Sequence, residues 1–481
     1  MMRRILFAAT AGLAWLATSS LAAAETVDTR IGKVELEAGY PSKASVEKLF
    51  DEMDFQRATQ AYIWGLPAVG FHGLHLAHLN TFGAKDGEVV LYKTLEDKAG
   101  MLTPNLTTVY LMTFWNLATE GPLIVEVPPG ATAGGFLDVW QRPITDTGQT
   151  GPDRGGGGKY MIVPPGWHIH EWKGYIVERS PTNQLWFAAR ALDPDPAVAE
   201  QVARKHKVYG WFQRENPPET KFIPVDGKPW SSAQPANLDY WKYLSDVIQP
   251  ESVEGRDMVT LGMLVPLGIE KSKKFEPDDR QKKILTEAAQ VGELMARANA
   301  YDKRFADATV WPGKRWEYAN MVELSQDANF YTQVDQRGSW FYEAIGNTGG
   351  MQGRILNFGQ VYLETSKDED GNWLDGRKTY RLHVPANPPV VQFWSVTLYD
   401  NVTRGPIVTD QGAADVSSRQ DLAVNPDGSV DLYFGPSKPA EARNWIETIP
   451  GRGWFPYFRL YGPNEAYFDK SWQLEDIELV K

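Results

Sequence analysis

Residues 140–158 hold the side chains best suited to chemistry: Trp140, Arg142, Asp146, Asp153 and Arg154. A β-like run ends there in a glycine-rich stretch, and binding residues collect on such loops at the rim of a sheet. Guanidinium groups bind carboxylates and phosphates through paired donors, so we predict that Arg142 and Arg154 bind a ligand beside Trp140. A partly desolvated carboxylate acts as a general acid or base, which makes Asp146 and Asp153 the predicted catalytic residues. The alternative interpretation is a surface loop in which each arginine pairs with a neighbouring aspartate.

Histidines form two further groups whose spacing suits a metal ion. His168 and His170 alternate around one residue and would share a face of a strand, which is a chelating arrangement. His72, His75 and His78 lie three apart and would share a broad face of a helix. Neither group has the intervening glutamate of a metalloprotease helix, so ordinary hydrogen-bonded histidines are the favoured interpretation. The sequence thus predicts no metal site, with His168 and His170 as the candidates if there is one, and it leaves any cofactor open.

Aromatic residues are abundant, with 18 tryptophans and 20 tyrosines. One interpretation is an aromatic-lined cleft for a sugar or an aromatic ligand, with Tyr110 and Tyr342 as predicted binding residues. The other is that these rings fill the cores of sheets and hold helices against them. The sequence leaves both interpretations open.

Composition and charge narrow the classes of function. The chain has 481 residues, with 49 lysines and arginines against 61 aspartates and glutamates, and a formal net charge of −12. A surface that binds nucleic acid needs a basic footprint, so no nucleic-acid partner is expected. The lack of cysteine excludes disulfides, thiolate metal sites and thiol nucleophiles. A small-molecule ligand and a homo-oligomer are both compatible with the sequence.

The first 24 residues have the pattern of an export signal. Arg3 and Arg4 form a basic start, residues 5–21 are mostly apolar, and three alanines provide a cleavage site. The expected location is therefore the periplasm or the outside of the cell. No later stretch reaches about 18 apolar residues without a charge, so no integral membrane segment is expected after signal cleavage.

Hydrophobic periodicity predicts an α+β protein in three parts after the signal. These parts are a β domain (residues 25–194), a helical middle segment (195–350) and a second β domain (351–481). The first domain begins with a helix over residues 45–64, which we expect Gly65 and Pro67 to end. In the middle segment we predict helices over residues 196–207, capped by Asp195, and over residues 238–248, 278–305 and 326–345. In the second β domain the predicted strands include residues 360–364. No helical stretch separates successive strands within either β domain. We therefore predict two antiparallel β-sandwich domains, jelly-roll-like, joined by the helical middle.

Several short motifs resemble two domain families. Residues 104–110 (PNLTTVY), 121–130 (GPLIVEVPPG) and 157–166 (GGKYMIVPPG) are similar to the DUF1254 domain. Residues 380–385 (YRLHVP), 394–400 (WSVTLYD) and 458–463 (FRLYGP) are similar to the DUF1214 domain that usually follows it. The resemblance implies two β-sandwich domains joined by helices in an exported bacterial protein, and no reaction, since both names mean unknown function. Many relatives have an aspartate where this chain has Thr107, so chemistry that depends on that carboxylate is not expected here.

The sequence supports two hypotheses of function. The first is an enzyme, a hydrolase or lyase, that acts on a small anionic or aromatic organic molecule in a cleft between the β domain and the helices. An oxidoreductase is disfavoured because no dinucleotide fingerprint or haem-attachment motif occurs. The alternative is a non-catalytic periplasmic protein that binds a ligand or takes part in assembly, because the sequence has no recognised catalytic motif.

Overall fold

The computed structural model describes residues 25–168 and 172–480. The predicted export signal lies outside the described residues, as does His170. The chain divides into two units between Gln56 and Arg57. The first unit holds a three-stranded antiparallel sheet made of β1 (Glu25–Thr29), β2 (Gly32–Glu37) and β3 (Tyr40–Pro41).

Helix α1 (Lys43–Leu76) runs further than the sequence predicts. The expectation that Gly65 and Pro67 end it is wrong, because the residues around them are buried against other elements. A proline inside a helix removes a donor and strains the preceding turn, which costs about 3 kcal/mol. Burial of the surrounding residues offsets this cost. Gln141 Nε2 donates to the Pro67 carbonyl oxygen over 2.7 Å and so connects α1 to another part of the chain. A π-helical turn, Ala77–Phe82, follows α1.

The first β region contains two sheets. Its strands are β4 (Val89–Tyr92), β5 (Val109–Asn116), β6 (Leu123–Val127), β7 (Thr132–Asp138), β8 (Pro143–Gly148), β9 (Gly158–Val163), β10 (Ile176–Arg179), β11 (Gln184–Ala191), β12 (Lys207–Gly210) and β13 (Phe222–Pro224). The larger sheet has the order β13-β4-β5-β11-β7-β8 and the smaller has the order β10-β9-β6-β12. Short helices lie between strands: α2 (Leu95–Lys98), α3 (Leu117–Glu120) and α4 (Pro196–Ala203). Asp195 caps α4, as the sequence predicts, by accepting from Ala197 N over 2.8 Å.

Helices occupy much of the chain between the two β regions. They are α5 (Leu238–Ile248), α6 (Met258–Leu264), α7 (Asp279–Tyr301) and α8 (Val334–Glu343). The helix predicted over residues 238–248 is confirmed. The helix predicted from Gln326 begins only at α8, because Asp327 and Thr332 pair in a β-bridge instead. Short 3₁₀ turns lie at Trp211–Gln213, Val265–Leu267 and Gly349–Met351.

The second β region also contains two sheets. Its strands are β14 (Glu317–Tyr318), β15 (Gln360–Glu364), β16 (Tyr380–Val384), β17 (Val390–Asp400), β18 (Asp415–Ser417), β19 (Val430–Gly435), β20 (Asn444–Glu447), β21 (Trp454–Pro463) and β22 (Glu478–Leu479). The larger sheet has the order β14-β15-β21-β17-β18 and the smaller has the order β20-β19-β16-β22. Helix α9 (Glu465–Phe468) follows β21.

The prediction of purely antiparallel sheets is wrong at three sheet edges. There β10 runs parallel to β9, β13 to β4 and β20 to β19. The prediction rested on the lack of crossover helices between strands. A parallel strand at a sheet edge does not require a crossover helix. For example, residues 436–443 connect β19 to β20 without a helix. Similarly, β12 and β13 come from the segment expected to be helical and extend the sheets of the first β region.

Each pair of sheets shares one apolar core. In the first region the core joins Leu111 and Phe187 of the larger sheet to Val125 of the smaller sheet. In the second it joins Phe458 of the larger sheet to Leu432 of the smaller sheet. The chain is therefore a mixed α+β protein with several sheets. In the described part of the chain, no helix has both the length and the apolar character that crossing a membrane requires.

We expect Gly292→Ala in α7 to lower the free energy of unfolding by about 1–3 kcal/mol. A Cβ atom there would lie 2.7 Å from Tyr62 Cβ in α1, closer than side chains pack. Gly262→Ala in α6 is the matched control, because nothing lies within 4 Å of its added Cβ. Alanine there should stabilise the protein by about 0.5–1 kcal/mol through its helix propensity. Urea unfolding measures both changes, and equal effects would contradict the close approach of α7 to Tyr62.

Candidate functional site

A cavity of about 300 Å³ lies between the two β regions. One wall is the face of β5, β7 and β11 that is turned away from the first core. The opposite wall is the face of β15 and β21 that is turned away from the second core. Residues 101–104 and the residues that follow α8 close the sides. The volume falls at the lower end of the usual range for small-molecule sites, about 300–1,000 Å³.

Strand alternation decides which side chains of the first wall reach the cavity. On β11, Trp186 and Arg190 face the cavity, whereas Phe187 between them packs in the core. On β5, Tyr110 faces the cavity and Leu111 packs in the core. The antiparallel register sets Tyr110 opposite Arg190. The guanidinium carbon of Arg190 consequently lies 5.8 Å from the centre of the Tyr110 ring, in cation–π range.

The second wall follows the same rule. On β21, Tyr457, Arg459 and Tyr461 face the cavity, and Phe458 packs in the core. The register sets Arg459 opposite Tyr362 of β15. The guanidinium carbon of Arg459 lies 5.5 Å from the Tyr362 ring centre and 5.1 Å from the Tyr457 ring centre. Aromatic rings therefore surround this buried charge.

Arg190 and Arg459 bring two positive charges to the cavity, and each opposes the other electrostatically. Arg190 Nη1 donates to Gln360 Oε1 over 3.0 Å, and Arg459 Nη2 donates to the Thr103 carbonyl oxygen over 2.7 Å. Within residues 25–168 and 172–480, neither guanidinium forms an ion pair with a carboxylate. Arg459 is buried, and Arg190 is half-buried. A charge removed from water is costly unless it is paired, so an anion in the cavity would be favourable.

Three donors in the cavity lining have no acceptor among the described residues. They are Arg459 Nε, Tyr461 OH and Trp186 Nε1, all of them buried. A buried donor without a partner costs about 1–3 kcal/mol. A ligand rich in acceptor oxygens would satisfy them.

Two tyrosines of the cavity lining, Tyr362 and Tyr461, are neutral phenols with an O–H group that can donate. Burial raises the pKa of Tyr362 and of Tyr461, although Arg190 and Arg459 oppose this effect. Both phenols therefore keep their protons at about pH 7. Positive charge together with neutral O–H and N–H donors is the combination that recognises a carboxylate or a phosphate.

The structure places Arg142 and Trp140 away from this cavity. Arg142 Nε donates to Asp138 Oδ2 over 2.6 Å, and its two Nη atoms donate to Glu254 over 2.9 and 2.5 Å. The buried Trp140 ring lies 4.8 Å from the Trp64 ring. Arg142 is thus paired, as the alternative interpretation of the loop expects, but with Asp138 and Glu254 and not with the loop aspartates.

The loop carboxylates hold the backbone and a tyrosine. Asp146 accepts from Gly349 N over 3.2 Å and from Gly350 N over 2.9 Å, and burial raises its pKa. Asp153 accepts from Gly148 N over 2.7 Å and from the Tyr160 hydroxyl over 2.5 Å. The catalytic roles of Asp146 and Asp153 stay predictions.

The glycine-rich loop contributes polar side chains to the cavity, but not the ones singled out from the sequence. Gln149 and Thr150 line the cavity. Arg154 is exposed and has a left-handed backbone conformation, with φ of 49°. Its binding role also stays a prediction.

The two tyrosines predicted to bind ligand differ in position. Tyr110 lines the cavity, and its hydroxyl accepts from Asn105 N over 2.9 Å. Tyr342 is fully buried, donates to Glu293 Oε1 over 2.6 Å and lies 4.1 Å from the Arg404 guanidinium carbon. Burial raises the pKa of Tyr342 to about 12. Tyr342 thus connects α7 and α8 behind the cavity wall.

The helical histidines have hydrogen-bonding or charged neighbours, as expected from the sequence. His75 Nε2 lies 2.7 Å from Asp86 Oδ1, and His78 Nε2 lies 2.8 Å from the Tyr92 hydroxyl. Burial lowers the pKa of His78 to about 3. In the described part of the chain, no group of three or more histidines, aspartates or glutamates is arranged to hold a metal ion. His168 is exposed, and its predicted partner lies outside the described residues.

Sequence reasoning missed the two arginines at the centre of the cavity. Each lies within a strand of otherwise aromatic or apolar residues, as in LWFAARA around Arg190 and YFRLY around Arg459. A charge in the middle of such a strand is a signal, because fully buried arginines are rare unless paired. The sequence does not show that the two strands meet across one cavity.

These features define a class of protein: two β regions, each with its own core, that enclose a small cationic cavity. Residues 88–210 match DUF1254 and residues 359–465 match DUF1214, both described as proteins of unknown function. Residues 88–210 therefore form a DUF1254 domain and residues 359–465 a DUF1214 domain, which confirms the resemblance seen in the motifs. Arg190 lies in the first match and Arg459 in the second, so both domains build the cavity.

Two solved structures are similar to this chain to different degrees. The VPA0106 protein from Vibrio parahaemolyticus is 19% identical, with a TM-score of 0.56 over 89% of this chain and 100% of that one. An uncharacterized protein from Burkholderia cenocepacia is 13% identical, with a TM-score of 0.39 over 91% of this chain and 97% of that one. The first of these likenesses shows the fold and nothing about activity. No curated protein matches the chain.

Proposed function

We propose that this protein binds a small organic anion, a carboxylate or a phosphate with an apolar or aromatic body, in the cavity between its two β regions. The observation that carries the proposal is the pair Arg190 and Arg459, which no carboxylate of the described chain neutralises within the cavity. Unpaired charges are unfavourable in a protein interior. A bound anion would supply the missing charge and accept from both guanidinium groups.

The remaining lining supports a ligand with an apolar body. Most of it is apolar or aromatic, including Met101, Leu102, Met112, Leu137, Trp340 and Met351. A site of this kind gains affinity from apolar burial and orientation from a few polar groups. An aromatic acid of modest size fits both parts of the lining.

The setting of this function is also part of the proposal. Residues 1–24 support export, so the ligand would be met in the periplasm or outside the cell. The two apolar cores support two sandwich domains of jelly-roll-like connectivity, with the ligand held between them.

Two fates of the bound anion follow from different observations. A hydrolase or lyase reaction is supported by Asp146, a buried carboxylate whose pKa burial raises. Asp146 accepts from Gly350 N and is stabilised by Thr150, and Gly350 and Thr150 both line the cavity. A non-catalytic binding role is supported by the lining itself, since its described side chains include no carboxylate or imidazole. Recovery of the ligand after incubation, with Asp146→Asn alongside, separates the two: consumption by the wild type alone indicates catalysis.

The binding proposal is tested by thermal unfolding of the purified protein with benzoate and phenyl phosphate. Their uncharged counterparts, benzamide and benzyl alcohol, serve as matched controls. A ligand that binds the folded state raises the melting temperature in proportion to the logarithm of its concentration. We expect such a rise for the anions and none for the neutral compounds. Equal effects of charged and neutral compounds, or none from any of them, would contradict an anion site.

A further inference from the structure

The Tyr457 side chain connects the cavity to a buried acid behind its wall. Its ring lines the cavity, and its hydroxyl donates to Glu343 Oε2 over 2.6 Å. Glu343 is 1% exposed, and its other oxygen, Oε1, has no hydrogen-bond partner among the described residues. A buried carboxylate oxygen without a donor favours the protonated acid. Anion binding by Arg190 and Arg459 does not by itself require the hydrogen bond between Tyr457 and Glu343.

The charges around Glu343 are unbalanced. Lys303 Nζ lies 3.9 Å from Glu343 Oε1 and 3.7 Å from a Glu317 oxygen, and it contacts Glu364 more closely. The Lys303 ammonium group is therefore shared by the carboxylates of Glu317, Glu343 and Glu364. Further charged or titratable groups that act on Glu343 or on Tyr457 are Tyr301, Tyr399, Arg404 and Arg459.

Burial raises the pKa of Glu343 to about 7, although Lys303 and the hydrogen bond from Tyr457 oppose this effect. Near about pH 7 the free protein is therefore a mixture of protonated and ionised Glu343. A nearby negative charge shifts such a mixture toward the protonated form.

We propose that the cavity takes up its anion together with a proton, which Glu343 holds behind the Tyr457 ring. The proposal rests on the function proposed above, because it needs an anion beside Arg459. The proton comes from solvent and forms an O–H bond on Glu343, and no bond of the ligand changes. Protonated Glu343 then donates to the Tyr457 oxygen, which frees the phenolic proton to donate to the bound anion.

The coupling between proton uptake by Glu343 and anion binding determines whether the affinity rises or falls with pH. If the bound anion raises the pKa of Glu343, affinity is highest below the pKa of the free protein and falls as the pH rises through it. A shift of one unit corresponds to a tenfold loss of affinity, completed about two units above the free pKa. We therefore expect about tenfold weaker binding at about pH 9 than at about pH 6.

Isothermal titration calorimetry with benzoate tests the coupling in the full-length protein. Tris and imidazole buffers at equal ionic strength are suitable, because both are cationic and neither competes for an anion site. The difference in heat between the two buffers gives the protons taken up per benzoate bound. We expect about half a proton near pH 7 for the wild type. Binding whose heat does not depend on the buffer would overturn the proton coupling, whereas no binding at all would contradict the anion site itself.

Three variants test which side chain takes up the proton when benzoate binds. Glu343→Gln should bind benzoate without proton uptake and with an affinity that no longer depends on pH. Tyr457→Phe removes the link to the cavity and should reduce the uptake while the protein stays folded. Asp415→Asn tests a competing proton acceptor, because burial raises the pKa of Asp415 to about 6 and Arg459 acts on its carboxylate, although that carboxylate does not contact Tyr457. Loss of uptake in Asp415→Asn with retention in Glu343→Gln would overturn the assignment.

Discussion

Arg190→Gln is expected to weaken benzoate binding by about 2–3 kcal/mol, the usual contribution of a charge-assisted hydrogen bond in a buried site. The substitution removes one of the two charges that would hold the anion and leaves a shorter, neutral polar side chain in its place. It also removes the repulsion between Arg190 and Arg459. The free energy of unfolding without ligand should therefore change by less than about 1 kcal/mol. Calorimetry and urea unfolding measure the two quantities separately.

Arg154→Gln is the control for this prediction. Arg154 is exposed on the glycine-rich loop, so its replacement should change neither binding nor stability. The comparison also decides between two locations of the site. Loss of binding in Arg154→Gln with full binding in Arg190→Gln would place the anion at the loop, as the sequence alone suggests.

Lys303→Met is expected to lower the free energy of unfolding by about 3–5 kcal/mol at about pH 8. The Lys303 side chain is 1% exposed and is the ammonium group that Glu317, Glu343 and Glu364 share. Removing one partner of a buried ion pair leaves uncompensated charge, which is the costly case. Urea unfolding monitored by fluorescence measures the loss.

The loss should shrink as the pH falls. Burial raises the pKa of Glu317 and Glu343, so both take up protons in the folded protein before the unfolded chain does. Once protonated, Glu317 and Glu343 carry no charge for Lys303 to balance. The destabilisation caused by Lys303→Met should therefore be smaller at about pH 5 than at about pH 8. Lys273→Met, which breaks an exposed pair with Glu270, should cost less than about 1 kcal/mol at either pH. An equal loss from Lys303→Met at both values would indicate lost packing and not lost charge.

Local signals predicted much of the secondary structure. The strand Gln360–Glu364 and the helix Leu238–Ile248 match their predictions, because apolar periodicity and neighbouring capping or breaking residues specify them. Helix α1 shows where such signals fail. Its passage through Pro67 depends on the burial of residues that only the folded chain brings together.

The candidate site was harder to predict than the fold. Sequence reasoning expected a cleft between the β domain and the helices, with charge presented by a glycine-rich loop. The cavity lies instead between two sheet faces, and its charges come from strand interiors at Arg190 and Arg459. Strand alternation could show that Arg190 and Trp186 share a face. The contact between that face and β21 depends on long-range packing, which no local pattern encodes.

The presence of an anion between Arg190 and Arg459 is tested most directly by a crystal structure with 4-bromobenzoate. Anomalous scattering from bromine locates the ligand independently of the protein coordinates. We predict a bromine peak within the cavity against its apolar lining, and a carboxylate that accepts from both guanidinium groups. The contradicting result would come from well-diffracting crystals grown with saturating 4-bromobenzoate. Bromine found outside the cavity, or in no ordered position, would contradict the assignment of this cavity as an anion site.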